Sequence, residues 1–115
     1  MPATGLQGRI PIVRESSVRA TSVTGGSIAF QNNNGETSIV ANSSLRAVGN
    51  GIWNTSGATL VKVENSQIEA AAPIRVDDGT ALVGGSRLEG GANIGTVTCA
   101  GVWDENFVFY ADTCP

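Results

Sequence analysis

The 115-residue chain contains no histidine, few charged residues and few aromatic residues. Without histidine, a Ser-His catalytic pair and a histidine-containing zinc site are both excluded. Charged residues make up 15% of the chain, the net charge is −3, and no run of Lys or Arg occurs. Nucleic-acid binding needs clustered basic residues, so it is not expected. No apolar run approaches the ~20 residues that span a bilayer, so no membrane partner is expected either.

Cysteine is equally scarce, and both cysteines, Cys99 and Cys114, lie near the C-terminus. They bracket an aromatic-rich segment, and a disulfide closing this loop would stabilise the fold by roughly 3 kcal/mol. We expect this disulfide, with two free thiols as the alternative, and no metal site. A disulfide implies an oxidising location: extracellular, periplasmic or on a phage particle. The first residues lack the basic and apolar regions of a signal peptide, so either the protein is not exported by that route or its leader is missing.

An eight-residue pattern of the form Val-x-x-Ser-x-aliphatic-x-small occurs four times. It covers residues 13–20, 40–47, 63–70 and 83–90. Its serines, Ser16, Ser43, Ser66 and Ser86, are separated by 27, 23 and 20 residues. A recurring unit of this length indicates a stacked array of repeats. The period-2 alternation after each serine predicts a strand with the serine, the aliphatic and the small residue facing inward.

These repeats predict an all-β fold, a right-handed parallel β-helix of about four to five rungs. Further short strands flank each pattern, and Asn42, Asn65 and Gly85 recur at one corner, where left-handed backbone angles are needed. One domain spans 1–115, with an N-terminal segment at 1–9, rungs at 10–98 and an aromatic C-terminal cap at 99–115. The stacked serines are expected to hydrogen-bond between rungs rather than act as nucleophiles, because no histidine activates them.

Residues 10–98 resemble the right-handed β-helix superfamily, which includes pectate-lyase-like enzymes, phage tailspikes and bacterial surface proteins. The resemblance implies the fold and leaves the function open. The enzymes of this group use clustered carboxylates, yet the chain offers few such pairs. Asp77-Asp78-Gly79 is the main one, and this triplet is also typical of a turn.

Four residues are candidate binding residues: Trp53, Asp77, Asp78 and Arg87. Trp53 is large enough to stack on a sugar, although core or loop packing is the common role of such a residue. Two outward rows, one of Ser17, Ser44, Gln67 and Arg87 and one of Arg19, Arg46, Glu69 and Glu89, form either a solvated face or a binding face. Within them, Arg46 should pair with Glu69, and Arg87 should reach Glu69 diagonally.

The sequence therefore predicts a non-catalytic structural or binding module of an exported or phage-like protein, with polysaccharide as a candidate ligand. A polysaccharide lyase or glycosidase, or a remnant of one, is the alternative. No catalytic residue and no cofactor is assigned. The N-terminal residues offer little apolar cover for the first rung, so a homo-oligomer or another stacking partner is expected there.

Overall fold

A computed structural model describes residues 12–20, 27–32, 35, 37–55 and 57–115, together with the backbone of 4–8. Within these residues the chain is all-β and its strands form three sheets. The side chains of the predicted N-terminal segment at 1–9 lie outside the described residues.

The first twelve strands belong to the three sheets in strict rotation along the chain, and the last three strands lie in the second and third sheets. The first sheet contains β1 (Thr4–Gly8), β4 (Ile28–Asn32), β7 (Asn50–Asn54) and β10 (Ala72–Val76). The second contains β2 (Ile12–Arg14), β5 (Thr37–Ala41), β8 (Leu60–Glu64), β11 (Thr80–Gly84) and β13 (Val97–Ala100). The third contains β3 (Ser17–Ala20), β6 (Ser44–Ala47), β9 (Gln67–Ala70), β12 (Arg87–Gly90), β14 (Val102–Trp103) and β15 (Phe109–Tyr110).

Each passage of the chain through the three sheets is called a circuit here. Strands of one sheet pair in parallel with the equivalent strands of the neighbouring circuits. Equivalent residues of the repeated pattern are therefore stacked directly, as Leu45 is on Ile68 and Ile68 on Leu88. The hairpin of β14 and β15 is antiparallel.

The predicted alternation of inward and outward residues is confirmed for the second and third patterns, whereas Val18 of the first pattern is partly buried and Gly90 of the fourth is exposed. Leu45, Ile68 and Leu88 are at most 1% exposed, and the small residues two positions later in the first three patterns are also buried. The first sheet adds the large residues Phe30, Ile52 and Ile74, all completely buried. Apolar side chains from all three sheets thus meet in one core, and removing this surface from water is the main stabilising contribution.

The repeated serines form a hydrogen-bonded ladder along the corner between the second and third sheets. The backbone N–H of Ser16 donates to Ser43 Oγ at 3.2 Å, that of Ser43 to Ser66 Oγ at 3.2 Å, and that of Ser66 to Ser86 Oγ at 3.1 Å. Each hydroxyl donates in turn to the carbonyl two residues earlier, at 2.8 Å. The predicted hydrogen bonding between rungs is thus present, with backbone amides as the donors between circuits.

The residues before these serines turn the chain sharply. Asn42, Asn65 and Gly85 have φ values of 50°, 45° and 55°, as predicted, and Glu15 joins them at 48°. Asparagine and glycine adopt this left-handed region at low cost, whereas glutamate does so less readily. The backbone N–H of Asn42 donates to Glu64 O and that of Asn65 to Gly84 O, which links the corners of successive circuits.

A second buried polar ladder lies where the first sheet ends, and the sequence analysis did not predict it. Asn32 and Asn54 are completely buried, and Asn32 Nδ2 donates to Asn54 Oδ1 at 2.6 Å. Ser38 Oγ donates to Asn32 Oδ1, and Asn54 Nδ2 reaches Asp78 O at 3.3 Å. Amides that are buried in this way require such partners, because an unpaired polar group in the core is costly.

Parallel pairing continues beyond residue 98, where the sequence analysis placed the start of the cap. Cys99 and Ala100 lie in β13 opposite Val83 and Gly84, and Trp103 pairs with Arg87. Val102 takes the position of the serine and is completely buried, so the ladder ends there. The predicted disulfide is present, with Cys99 bonded to Cys114. It ties the last residues to the final circuit.

The serine ladder predicts a large difference in stability between the loss of a ladder serine and the loss of an exposed serine. Ser66→Ala removes the acceptor of a buried backbone N–H, so we expect the free energy of unfolding to fall by about 1–3 kcal/mol. Ser44→Ala removes an exposed hydroxyl and should change it by less than about 0.5 kcal/mol. Urea denaturation of both variants measures the two values. Equal effects would show that the ladder does not stabilise the fold.

Candidate functional site

Trp53 and Asp77, two of the predicted binding residues, lie together on the outer side of the first sheet. Trp53 Nε1 donates to Asp77 Oδ2 at 2.8 Å. Arg75, stacked beside Trp53 in the next circuit, places its guanidinium 4.5 Å from the ring centroid. The same guanidinium binds Asp77, with Nε 3.2 Å from Oδ1 and Nη2 3.1 Å from Oδ2. Each member of this cluster is thus held by the other two.

The cluster keeps Asp77 ionised. The hydrogen bond from Trp53 lowers the pKa of Asp77 most, the hydrogen bond from Arg75 lowers it further, and slight burial opposes both. A catalytic general acid needs a pKa raised toward the working pH, which is the opposite shift. The cluster therefore presents an aromatic ring and an ion pair that are both held in place by hydrogen bonds.

Asp78, the neighbouring candidate, points to different partners. Its Oδ2 accepts the backbone N–H of Gly57 at 3.0 Å, and its Oδ1 accepts that of Gly79 at 3.1 Å. Gly79 has a φ of 77°, where a side chain would be strained and would meet the backbone of Thr59. Asp78 therefore stabilises a turn, which is the structural role that the sequence left open for Asp77-Asp78-Gly79.

Arg87, the fourth candidate, lies in the third sheet, and its described contacts do not include Trp53, Asp77 or Asp78. It pairs with Glu89 at 2.8 Å, not with Glu69, because Glu69 is engaged by Arg46 at 3.3 Å. The diagonal contact predicted from the sequence is thus wrong, while the Arg46–Glu69 pair is confirmed. The Arg87 guanidinium also lies 4.2 Å from the centroid of Phe107. It donates to the carbonyl of Glu105 at 3.2 Å.

An open groove of about 770 Å³ runs across the circuits beside the serine ladder. This corner groove is bordered by the corner residues of the circuits and by one outward column of the third sheet. The column consists of Ser17, Ser44, Gln67, Arg87 and Trp103. With strands ~4.8 Å apart, five stacked positions give the groove a length of about 19 Å. Most of these side chains offer hydroxyl and amide groups to the solvent.

Aromatic side chains continue from one end of the corner groove. Trp103 is 38% exposed, and its ring centroid lies 4.9 Å from that of Phe109. Phe107 is 69% exposed with a φ of 59°, a strained conformation for a phenylalanine. These three residues, together with Arg87, which contacts Phe107, form a surface called the aromatic end. It contains the residues that the sequence analysis assigned to a cap.

Asp104 holds this aromatic end in shape. Its Oδ1 accepts the backbone N–H groups of Asn106 and Val108, and its Oδ2 accepts the Tyr110 hydroxyl at 3.0 Å. Burial opposes ionisation of Asp104, but these hydrogen bonds outweigh it and hold the pKa below its ordinary value. The hydrogen bond to Asp104 raises the pKa of Tyr110. Asp104 is therefore a structural carboxylate.

Sequence reasoning assigned Trp103 to the cap and did not place it in the groove. The available signal was the register: the outward row Ser17, Ser44, Gln67 and Arg87 continues to Trp103 once the fifth circuit is recognised. The signal was weak because the fifth circuit has Val102 in place of the repeated serine.

Comparisons with protein-family models, with curated proteins and with solved structures found no match to this chain. The described residues contain no helix long and apolar enough to cross a membrane. Among the same residues, no group of three or more His, Cys, Asp or Glu side chains is placed to hold a metal ion. The site must therefore be interpreted from its own geometry.

The Trp53 cluster predicts a change in the acid titration of Asp77. Trp53→Phe removes the strongest influence on this carboxyl, so its pKa should rise toward the ordinary value. Because the folded pKa is depressed, the carboxylate stabilises the protein above the unfolded pKa, and this contribution is lost as the pH falls through the folded pKa. The variant should therefore be less stable than the wild type at neutral pH, with a difference that shrinks in acid.

NMR titration of the Asp77 carboxyl carbon measures the pKa shift directly. Trp103→Phe is the matched control, since Trp103 makes no described contact with Asp77. An unchanged Asp77 pKa in Trp53→Phe would contradict the assigned role of the indole N–H.

Proposed function

We propose that this chain is a non-catalytic module that binds an extended polysaccharide along the corner groove. One observation carries the proposal: a groove about 19 Å long, bordered mainly by serine, asparagine and glutamine residues, runs along the stacking direction and ends at exposed aromatic rings. Carbohydrate sites combine polar groups that bond sugar hydroxyls with aromatic faces that cover the apolar face of a sugar ring. The groove supplies the first and Trp103 supplies the second.

The proposal includes the finer description of the fold as a right-handed parallel β-helix with a C-terminal cap. The rotation of the first twelve strands through three parallel sheets supports the β-helix. Right-handedness follows from the strong preference of parallel strand connections for that hand. The antiparallel pairing of β15 with β14 and the disulfide from Cys114 to Cys99 support the cap, because both hold the C-terminal residues against the last parallel strands.

The charge of the groove favours a neutral polysaccharide. Among the described residues that line it, Glu15 and Arg87 carry charges, and they lie at opposite ends. The middle circuits contribute Ser44, Asn42, Asn65 and Gln67, which are uncharged. Arg87 is already paired with Glu89 at 2.8 Å, so a uronic acid would have to compete for it.

The enzyme alternative has less support. Glycoside hydrolysis requires two carboxyl groups about 5–9.5 Å apart at one bond. Among the described residues that line the groove, Glu15 is the single carboxylate. Asp77 and Asp104 have lowered pKa values and are held by Trp53 and by the turn after β14, respectively. A binding role, in contrast, does not require a pair of carboxyl groups in the groove.

The location and the partners of the module are part of the same proposal. The disulfide between Cys99 and Cys114 supports an exported or phage-borne protein, because such bonds persist in oxidising surroundings. Among the described strands, β1, β2 and β3 each have a neighbour on one side only. This arrangement supports a stacking partner at the first circuit, which a second subunit, an upstream segment or another protein could supply.

An oligosaccharide array with neutral and uronic-acid glycans tests the proposal, followed by calorimetric titration of the best neutral hit. We expect Trp103→Ala to weaken binding about tenfold, as truncation of a buried-face aromatic contact does. Gln67→Ala should weaken it about fivefold through the loss of one or two hydrogen bonds.

Trp53→Ala is the matched control, because it removes the other tryptophan from a different face. Its binding should equal that of the wild type, and circular dichroism should show all three variants folded. Binding that depends on Trp53 and not on Trp103 would contradict the groove, as would the absence of binding to every glycan.

A further inference from the structure

The outer face of the second sheet carries two columns of very different side chains. The first, called the long column, consists of Ile12, Ile39, Lys62, Leu82 and Thr98. The second, called the short column, consists of Arg14, Ala41, Glu64, Gly84 and Ala100. The two columns are two residues apart on every strand, so they lie side by side on the same face. Among their members Ala41 is buried, and the other nine are partly or fully exposed.

The long column exposes aliphatic side chains, and the short column leaves space where its residues are small, at Gly84 and Ala100. Ile12 is 50% exposed and Leu82 is 38% exposed. Beside Leu82, the small residues Gly84 and Ala100 border a mostly apolar hollow of about 360 Å³. The face therefore presents an apolar projection and an apolar recess at the same level of the stack.

One circuit earlier, the two columns carry opposite charges. Lys62 is in the long column and Glu64 is in the short column, and both are exposed. Within the part of the chain that the structure describes, neither side chain forms an ion pair. Lys62 is also the single lysine of the sequence. Both charges are thus available to a partner.

We propose that this face binds a second copy of the chain, side by side and in the same direction. A twofold axis between the columns and parallel to the stacking direction exchanges the two columns while keeping every circuit at its level. Leu82 of each copy then enters the Gly84–Ala100 hollow of the other. Lys62 of each copy faces Glu64 of the other, which gives two reciprocal ion pairs.

The charges also select this arrangement over the other way of facing two sheets. A twofold axis along the strands, centred on the same circuit, would keep the columns unchanged. It would place Lys62 against Lys62 and Glu64 against Glu64, which is unfavourable. In the parallel arrangement, the facing side chains are complementary both in size and in charge.

The area of the face limits the strength of this dimer. Five strands ~4.8 Å apart and about five residues long cover roughly 20 by 17 Å, which is small for a stable interface. We therefore expect a dissociation constant in the micromolar range or above. Added salt should raise this constant, because it screens the ion pairs. None of the residues that line the corner groove belongs to either column.

Sedimentation equilibrium over a wide concentration range, at low and high salt, tests the dimer in the full chain. Lys62→Glu and Glu64→Lys should each weaken the dimer about tenfold, because each replaces attraction by repulsion at two symmetric contacts. An equimolar mixture of the two variants should recover wild-type association, since Glu at 62 then faces Lys at 64. The double variant K62E/E64K should recover it too.

Leu82→Glu should abolish the dimer, and Val48→Glu is its matched control, an exposed aliphatic residue outside this face. The charge variants keep the test valid if Leu82→Glu fails to fold. A wild-type chain that stays monomeric throughout would overturn the proposal. So would a dimer that ignores all of these changes, since such a dimer would form at the first circuit or the aromatic end.

Discussion

Parallel register is the constraint on which the rest of this structure depends. Because the strands of neighbouring circuits pair in parallel, each residue at one level is stacked on the equivalent residue at the next. Aliphatic residues therefore stack into the core, and serines stack into a ladder along one corner. A slip of one residue would expose the aliphatic residues and bury the outward ones. The serine ladder opposes such a slip, since each hydroxyl must meet one particular backbone N–H.

The same register creates the surfaces. Outward residues stack in the same register as inward ones, so each outward position of the strands forms a column of side chains that crosses several circuits. The groove, the Trp53 cluster and the outer face of the second sheet all arise in this way, on three different sides of the stack. At the C-terminal end, Asp104 and the disulfide impose a new direction on the chain, and the stacked column ends at aromatic rings. The candidate binding surfaces therefore extend along columns that cross several circuits.

The sequence predicted those features that the repeat itself encodes. The serine positions, the corner at Asn42 and Asn65, the burial of Leu45 and the Cys99–Cys114 bond could all be predicted from local patterns. The Asn32–Asn54 ladder could not, because it lies outside the eight-residue pattern and the next circuit has Val76 in the equivalent position. A buried asparagine pair looks like ordinary loop polarity until the register is known.

The candidate site was predicted only in part for a similar reason. Trp53 and Asp77 are indeed neighbours, but Arg75, which binds both, became significant only with the cross-circuit contact. Arg87 was chosen for its charge, and its described partners in the C-terminal segment lie beyond the repeat. Trp103 reaches the groove through a circuit whose key serine is replaced by Val102. In each case the important contact joins residues that are far apart in the sequence, so a local sequence pattern could not predict it.

The most direct test of the functional account is chemical-shift mapping by NMR, with isotope-labelled protein and the best neutral oligosaccharide. The account predicts that perturbed amide and side-chain signals trace one continuous line, from Ser44 through Gln67 and Arg87 to the Trp103 indole. Perturbations centred on Trp53 and Arg75, or scattered without relation to the stacked column, would contradict it.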